Sequence, residues 1–206
     1  MAQSFKPVPA LTEQILAYAE QLPEATPLTA KSLLHLGTRT ALHQALSRLV
    51  KRGELIRAER GIYFCLIKSR FGTHPPSVGL AVKALGEQRG EPIVQHGAAA
   101  ANALGLITQV PLRAVYLTSG RSRNLKFGEQ IVELRHAPSW QLIFGNRPAG
   151  KAIRALDWLG PEHAEKGLKK LKQTLPSAEF EDLVSVASQL PDWLTQIITR
   201  AAGNTK

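Results

Sequence analysis

One cysteine and one methionine occur in 206 residues, and a lone Cys65 rules out an internal disulfide. With no second cysteine beside it, its apolar setting reads as packing rather than as a reactive or metal-binding thiol. Long apolar runs are missing as well. None approaches the roughly 18–20 residues that span a bilayer, and the N-terminus lacks the apolar stretch of a signal peptide, so no membrane partner and a cytoplasmic location are expected. Acidic residues are scarce, 16 against 26 lysines and arginines, giving a formal net charge of +10. The excess is uneven: residues 1–75 hold ten Lys/Arg against five Asp/Glu and residues 76–148 eight against four, whereas residues 149–206 hold eight against seven. Such an imbalance suits a polyanionic partner.

Recognisable catalytic arrangements are also lacking. The histidines His35, His43, His74, His96, His136 and His163 show no paired spacing with acids or cysteine that would specify a metal. There is no phosphate-cradling glycine loop ending in Gly-Lys-Ser/Thr and no Gly-x-Ser-x-Gly elbow. Glu133 and His136 lie close together at the end of an expected strand, where such residues commonly stand without catalytic work. Neither a catalytic residue nor a metal nor a cofactor is expected.

What is present is a helix with two opposed faces, Thr38 to Arg52. Leu42, Ala45, Leu46 and Leu49 fall at i, i+3, i+4 and i+7, one stripe for a core. Arg39, Thr40, His43, Gln44, Ser47, Arg48 and Lys51 recur on the other side, and not one is acidic. Gly37 and Gly53 mark its ends, Thr38 suits the N-cap, and Lys51 and Arg52 suit the negative end of the helix dipole. Upstream, Leu11 to Leu22 carries Leu11, Ile15, Ala19 and Leu22 on one face. Thr29 to Leu36 reads as a short second helix, capped by Thr29 and with Leu33 and Leu36 inward.

That order is a helix-turn-helix, in which the third helix reads base edges and the second, through Lys31, crosses the phosphates. Leu55-Ile56 and Ile62 to Cys65 then make a hairpin around Arg57-Ala58-Glu59-Arg60-Gly61. It reads as a wing whose Arg57 and Arg60 follow a phosphate backbone or enter a narrow minor groove. The expected DNA-binding set is therefore Lys31, Arg39, Thr40, His43, Gln44, Ser47, Arg48, Lys51, Arg57 and Arg60.

Phe71-Gly72-Thr73-His74-Pro75-Pro76 interrupts any regular element and separates a winged helix-turn-helix domain, residues 1–70, from a second domain, residues 76–206. In the second, residues 76–148 read as a mixed α/β part. Helices are expected at Val78 to Leu85 and across the small residues Gly97 to Gly105, and strands at Ala114–Thr118, Leu125–Phe127 and Ile131–Arg135. From Ala149 to 206 the pattern is helical, in about four segments separated by Pro161, Pro176 and Pro191, with Trp158 and Trp193 as packing anchors. The fold class is α+β. Two basic surfaces are candidates for an acidic partner, Arg121, Arg123 and Lys126 on one turn, and Lys166, Lys169, Lys170 and Lys172 on one helix, although a solvated turn or face explains either.

Three stretches then carry a family likeness: Arg60-Gly61-Ile62-Tyr63 closing the wing, the run from Gly97 through Ala98-Ala99-Ala100-Ala101-Asn102-Ala103-Leu104-Gly105-Leu106-Ile107-Thr108-Gln109-Val110 to Pro111, and Tyr116-Leu117-Thr118-Ser119-Gly120. Together they resemble the AbiEi antitoxins of bacterial AbiE-type abortive-infection systems, over nearly the whole chain. The resemblance implies a winged helix that binds inverted repeats in its own promoter and represses transcription. It also implies that residues 76–206 oppose a nucleotidyltransferase-like toxin encoded alongside, in the type IV manner that needs no stable complex. Two other classes stay open: a DNA-binding regulator with a ligand- or protein-sensing second domain and no toxin, and, weakest for want of acid, base or metal ligands, an enzyme acting on nucleic acid.

Overall fold

Of the stripe expected on helix α1 (Leu11–Glu20), Ile15 and Ala19 are buried, Leu11 is half-buried and Leu22, also half-buried, lies beyond the helix end, whereas Leu42, Ala45, Leu46 and Leu49 sink the inner face of helix α2 (Arg39–Lys51) as expected. These elements come from a computed structural model that describes residues 9–70 and 72–203. The described residues have a mixed α+β architecture and divide into two compact units. One unit runs to Gly90 and also takes in Asn124–Ile131; the other comprises Glu91–Arg123 and Val132 onward. The expected break at 71–76 therefore lies inside the first unit. Residues 1–8 and 204–206, which the expected domain ranges included, and residue 71 of the expected break lie outside the described residues.

In the first unit, residues 30–36 run as successive turns, where a second helix was expected. The expected Thr29 cap does form, the Ser32 amide donating to Thr29 Oγ1 and the Thr29 amide to Ser32 Oγ, both at 3.0 Å, yet no helix propagates from it. Leu33 is nonetheless fully buried. Thr38 caps α2 by accepting the Ala41 amide at 3.4 Å, and Gly53 beyond the helix adopts φ +70°, the left-handed conformation that glycine takes without strain.

Strand β1 (Leu55–Glu59) pairs antiparallel with β2 (Ile62–Cys65), with an irregularity between Arg57 and Glu59. Leu28 joins the other edge of β2, exchanging both backbone hydrogen bonds with Tyr63 at 2.8 and 3.0 Å. Leu28, Leu33, Leu46, Leu49, Leu55 and Tyr63 close one core with the two helices. Cys65 packs at its margin, where burial pushes the thiol up. Strand β3 (Ile67–Ser69) pairs with β4 (Gly72–His74), which lies inside the stretch expected to carry no regular element. Helix α3 (Val78–Arg89) outlasts its apolar residues by a turn and stops at Gly90, φ +62°. Gln88 donates to Pro27 O at 3.0 Å, Arg89 pairs with Glu59, and Phe127 meets Phe64 with ring centres 5.3 Å apart.

The second unit opens with strand β5 (Ile93–Gln95), too short to show a period in sequence, and helix α4 (Gly97–Ala103). Strand β6 (Ala114–Thr118) pairs antiparallel with β5, strand β7 (Arg123–Phe127) belongs from Asn124 on to the first unit, and strand β8 (Gln130–His136), in the second unit from Val132 on, pairs parallel with β6. A short helix α5 (Ser139–Leu142) precedes the helical segment: α6 (Pro148–Leu159), α7 (Pro161–Thr174), α8 (Ser177–Ser185), a 3-10 turn (Ala187–Gln189) and α9 (Asp192–Gly203). Pro148 and Pro161 occupy first turns, where no intrahelical amide is lost. Ile153, Leu156, Leu168, Leu171, Leu183, Leu194 and Ile198 fill the core of this bundle.

Candidate functional site

All seven side chains expected on the outer face of α2, Arg39, Thr40, His43, Gln44, Ser47, Arg48 and Lys51, are exposed, on a helix whose opposite stripe is fully buried. Spacing alone produces this result, because residues three and four apart share a face. Lys31 is exposed on the turns before the helix, and Arg57 and Arg60 are exposed on the β1–β2 hairpin. None of Lys31, Arg39, Arg48, Lys51, Arg57 and Arg60 is held in an ion pair among the described residues. Glu59 is the one acid in the hairpin, and Arg89 holds it. The seven α2 residues thus give an acid-free cationic face with amide and hydroxyl groups between the charges. It offers hydrogen bonds as well as charge, which pure electrostatic attraction to phosphate does not require.

The basic residues proposed for an acidic partner fare less uniformly. Arg123 is not a free cation: its fork grips Glu91, with Nη1 donating to Oε1 and Nη2 to Oε2, each at 3.0 Å. Glu91 also accepts from Thr118 Oγ1, and a Cβ on Gly120 would stand 2.2 Å from Glu91 Oε1, so the cluster has no room for a side chain there. The sequence hid this because Glu91 and Arg123 are 32 residues apart. Arg121 and Lys126 remain exposed. On α7, Lys170 donates to Gly105 O at the exit of α4 and Lys172 to Ala201 O in α9 at 3.0 Å, both placements that suit the negative end of a helix; Lys166 and Lys169 are exposed.

The small-residue run does chemistry-free but specific work in the second unit. A Cβ on Gly97 would lie 2.4 Å from Arg154 O and 2.5 Å from Trp158 Cβ, so its absence lets α4 rest directly on α6. Gly105 turns the chain at φ +66°, and Asn102 Nδ2 donates to Gln109 O at 3.0 Å, pinning the segment that follows. The result is a cavity of about 660 Å³ between α4, that segment, β6, β8 and the end of α6. Ala98 and Ala99, Ile107 and Val115 give it an apolar lining, with His96, Arg113 and Arg135 as its charged or titratable members.

Trp158, expected as a packing anchor, is 44% exposed and forms part of this wall, while Trp193 does pack against the helical core. The Trp158 Cβ lies against Gly97 while the residue as a whole stays exposed.

His96 Nδ1 accepts the Ala98 amide at 3.3 Å and caps α4. Burial lowers its pKa, the Arg135 guanidinium lowers it further, and Asp157 and Glu133 pull the other way. Glu133 itself receives the Arg135 fork at 2.7 and 3.0 Å, and that bond holds its carboxyl below the usual range. The Glu133–His136 proximity in sequence leads elsewhere: His136 Nδ1 contacts Gly120 O at 3.0 Å. Sequence reasoning missed His96, Arg113, Arg135 and Trp158 as a group. The only signal available was the glycine and alanine run itself, which announces close approach without saying what approaches.

Among the described residues no helix is long and apolar enough to cross a membrane, and no three His, Cys, Asp or Glu side chains gather as a metal site. No curated protein matches the chain. Residues 14–183, a stretch that runs through both units, match DUF6088, a family of unknown function, and the chain belongs to that family.

Proposed function

We propose that this protein is a DNA-binding transcriptional repressor of its own promoter. In this reading residues 9–70 act as a winged helix-turn-helix. The outer face of α2 enters the major groove, Lys31 sits on a phosphate, and Arg57 and Arg60 on the hairpin follow the backbone. One observation carries the reading: seven neighbouring α2 side chains are exposed without an acid among them, while the opposite stripe is buried. A helix kept only for packing needs no such face, and ordinary solvated helices mix both signs. The backbone exchange between Leu28 and Tyr63 supports it by fastening the hairpin to the segment before the turns. A cytoplasmic location follows from the DNA partner.

The second half of the proposal is that the chain is the type IV antitoxin to a nucleotidyltransferase-like toxin. It rests on the likeness of Gly97–Pro111 and Tyr116–Gly120 to AbiEi antitoxins and is separable from the first half.

Footprinting the full chain on the DNA upstream of its own gene tests the first half, and protection of inverted repeats is expected. In gel shifts at two salt concentrations, Arg48→Ala is expected to weaken operator binding by about 1–3 kcal/mol if it reads a guanine, whereas Arg60→Ala lowers affinity across sequences and flattens the salt slope. Unchanged binding in both variants removes the groove assignment. Co-expression with the adjacent toxin tests the second half: a full chain that gives no protection ends it and leaves the repressor standing.

A further inference from the structure

The cavity beside α4 is not accounted for by DNA binding or by packing. Its volume of about 660 Å³ falls within the roughly 300–1,000 Å³ range of small-ligand sites. Six large apolar side chains stand exposed among the described residues, and three of them, Val110 at 73%, Leu112 at 103% and Trp158 at 44%, belong to this one place. Apolar surface concentrated in this way marks a binding site more often than chance exposure does. The lining contains no acid. Glu133, just outside it, is occupied by the fork of Arg135, so that pair contributes little net charge. Arg113 is exposed and in no ion pair among the described residues; its charge reaches Glu133, which it helps to hold ionised, but its guanidinium fork is left open to a ligand. Because His96 Nδ1 accepts the Ala98 amide, the imidazole keeps its proton on Nε2 and adds a neutral donor.

We propose that this cavity binds a small organic anion with a flat apolar body, an aromatic carboxylate, whose ring lies against Trp158 and the methyl groups of Ala98 and Ala99 and whose carboxylate pairs with Arg113. A guanidinium matches a carboxylate in two parallel hydrogen bonds, and an indole prefers an offset aromatic partner. Few polar side chains line the wall, only His96, Gln109 and the indole N–H of Trp158 besides the arginines, which favours an unadorned ring over a nucleobase with a larger polar edge to satisfy. The inference stands apart from the repressor reading: it concerns the second unit alone and holds or fails whether or not the chain binds DNA.

Calorimetric titration of the full chain tests it with four probes: 1-naphthoate, its neutral isostere 1-naphthamide, the cation 1-naphthylmethylammonium, and adenosine monophosphate. Saturable one-site binding of 1-naphthoate is expected, at least about tenfold tighter than 1-naphthamide, with no binding of the cation. Arg113→Gln, a change at an exposed residue, is expected to remove that tenfold preference and leave the amide unaffected. The Trp158 indole resonance, assigned by its loss in Trp158→Phe, is expected to shift with saturation. Equal affinity for naphthoate and naphthamide reduces the cavity to a sticky surface and overturns the proposal, as does tighter binding of the nucleotide. A self-associating chain whose Leu112→Asp variant becomes monomeric in sedimentation also overturns it, since a second copy of the chain then covers the site.

Discussion

Gly97 and His96 show how much a single position can decide. Gly97 sits where a methyl group would meet the Arg154 carbonyl oxygen and Trp158 Cβ, a backbone atom and a side-chain root that cannot swing away. Gly97→Ala is therefore expected to cost about 1–3 kcal/mol by overpacking, measured by urea unfolding, despite alanine's better helix propensity. A neutral or stabilising result would show that α4 and α6 can separate without penalty. His96 acts through protonation. In the unfolded chain it takes its proton near its ordinary pKa of 6.5 and in the folded chain at lower pH. As pH falls below 6.5 the unfolded state thus binds more protons and stability is lost, until the folded value is passed. Asp157, raised by burial, has the opposite effect, at and above the ordinary carboxylate value of 3.8. His96→Asn retains a capping acceptor but no titration, and its denaturant midpoint should fall less between pH 7 and pH 5 than that of the natural chain. Identical slopes would remove His96 as the source.

Elements differ in how plainly their residues announced them. Helix α2 was legible because period, glycine punctuation and capping residue agree, and each is a local property. The 30–36 segment was not, because its Thr29 cap and inward Leu33 are those of a helix while the chain beyond the cap runs as turns. Strands of three residues, such as β3, β4 and β5, are too short for alternation to show. The cavity was illegible for a different reason: His96, Arg113, Arg135 and Trp158 come from four elements or loops, and only tertiary packing gathers them. The Thr38 cap provides a test at this scale. Thr38→Ala removes the acceptor of the Ala41 amide and is expected to lower stability by about 0.5–2 kcal/mol in thermal unfolding, whereas Thr38→Ser retains most of it. Equal loss in both variants would move the effect from the cap to packing.

At the scale of the whole molecule, the chain's order and its compact units do not coincide. A fragment ending at residue 75 loses α3, with the Gln88–Pro27 and Arg89–Glu59 contacts, and loses Phe127, which covers Phe64. Such a fragment is expected to melt well below the first unit of the full chain, or to lack dispersed amide resonances. A fragment as stable as the full chain would show that residues 78–90 and 124–131 are accessory to it. Splitting the protein at the Pro75-Pro76 break to separate its proposed activities is therefore a poor experiment, and point variants in the full chain are the better ones. There is also a consequence for synthesis. On the ribosome the first unit cannot be completed until Ile131 has emerged, and by then residues 91–123 of the second unit are already outside. The leading part of the second unit therefore waits, without its partners from Val132 onward, while the segment that completes the first is still being made.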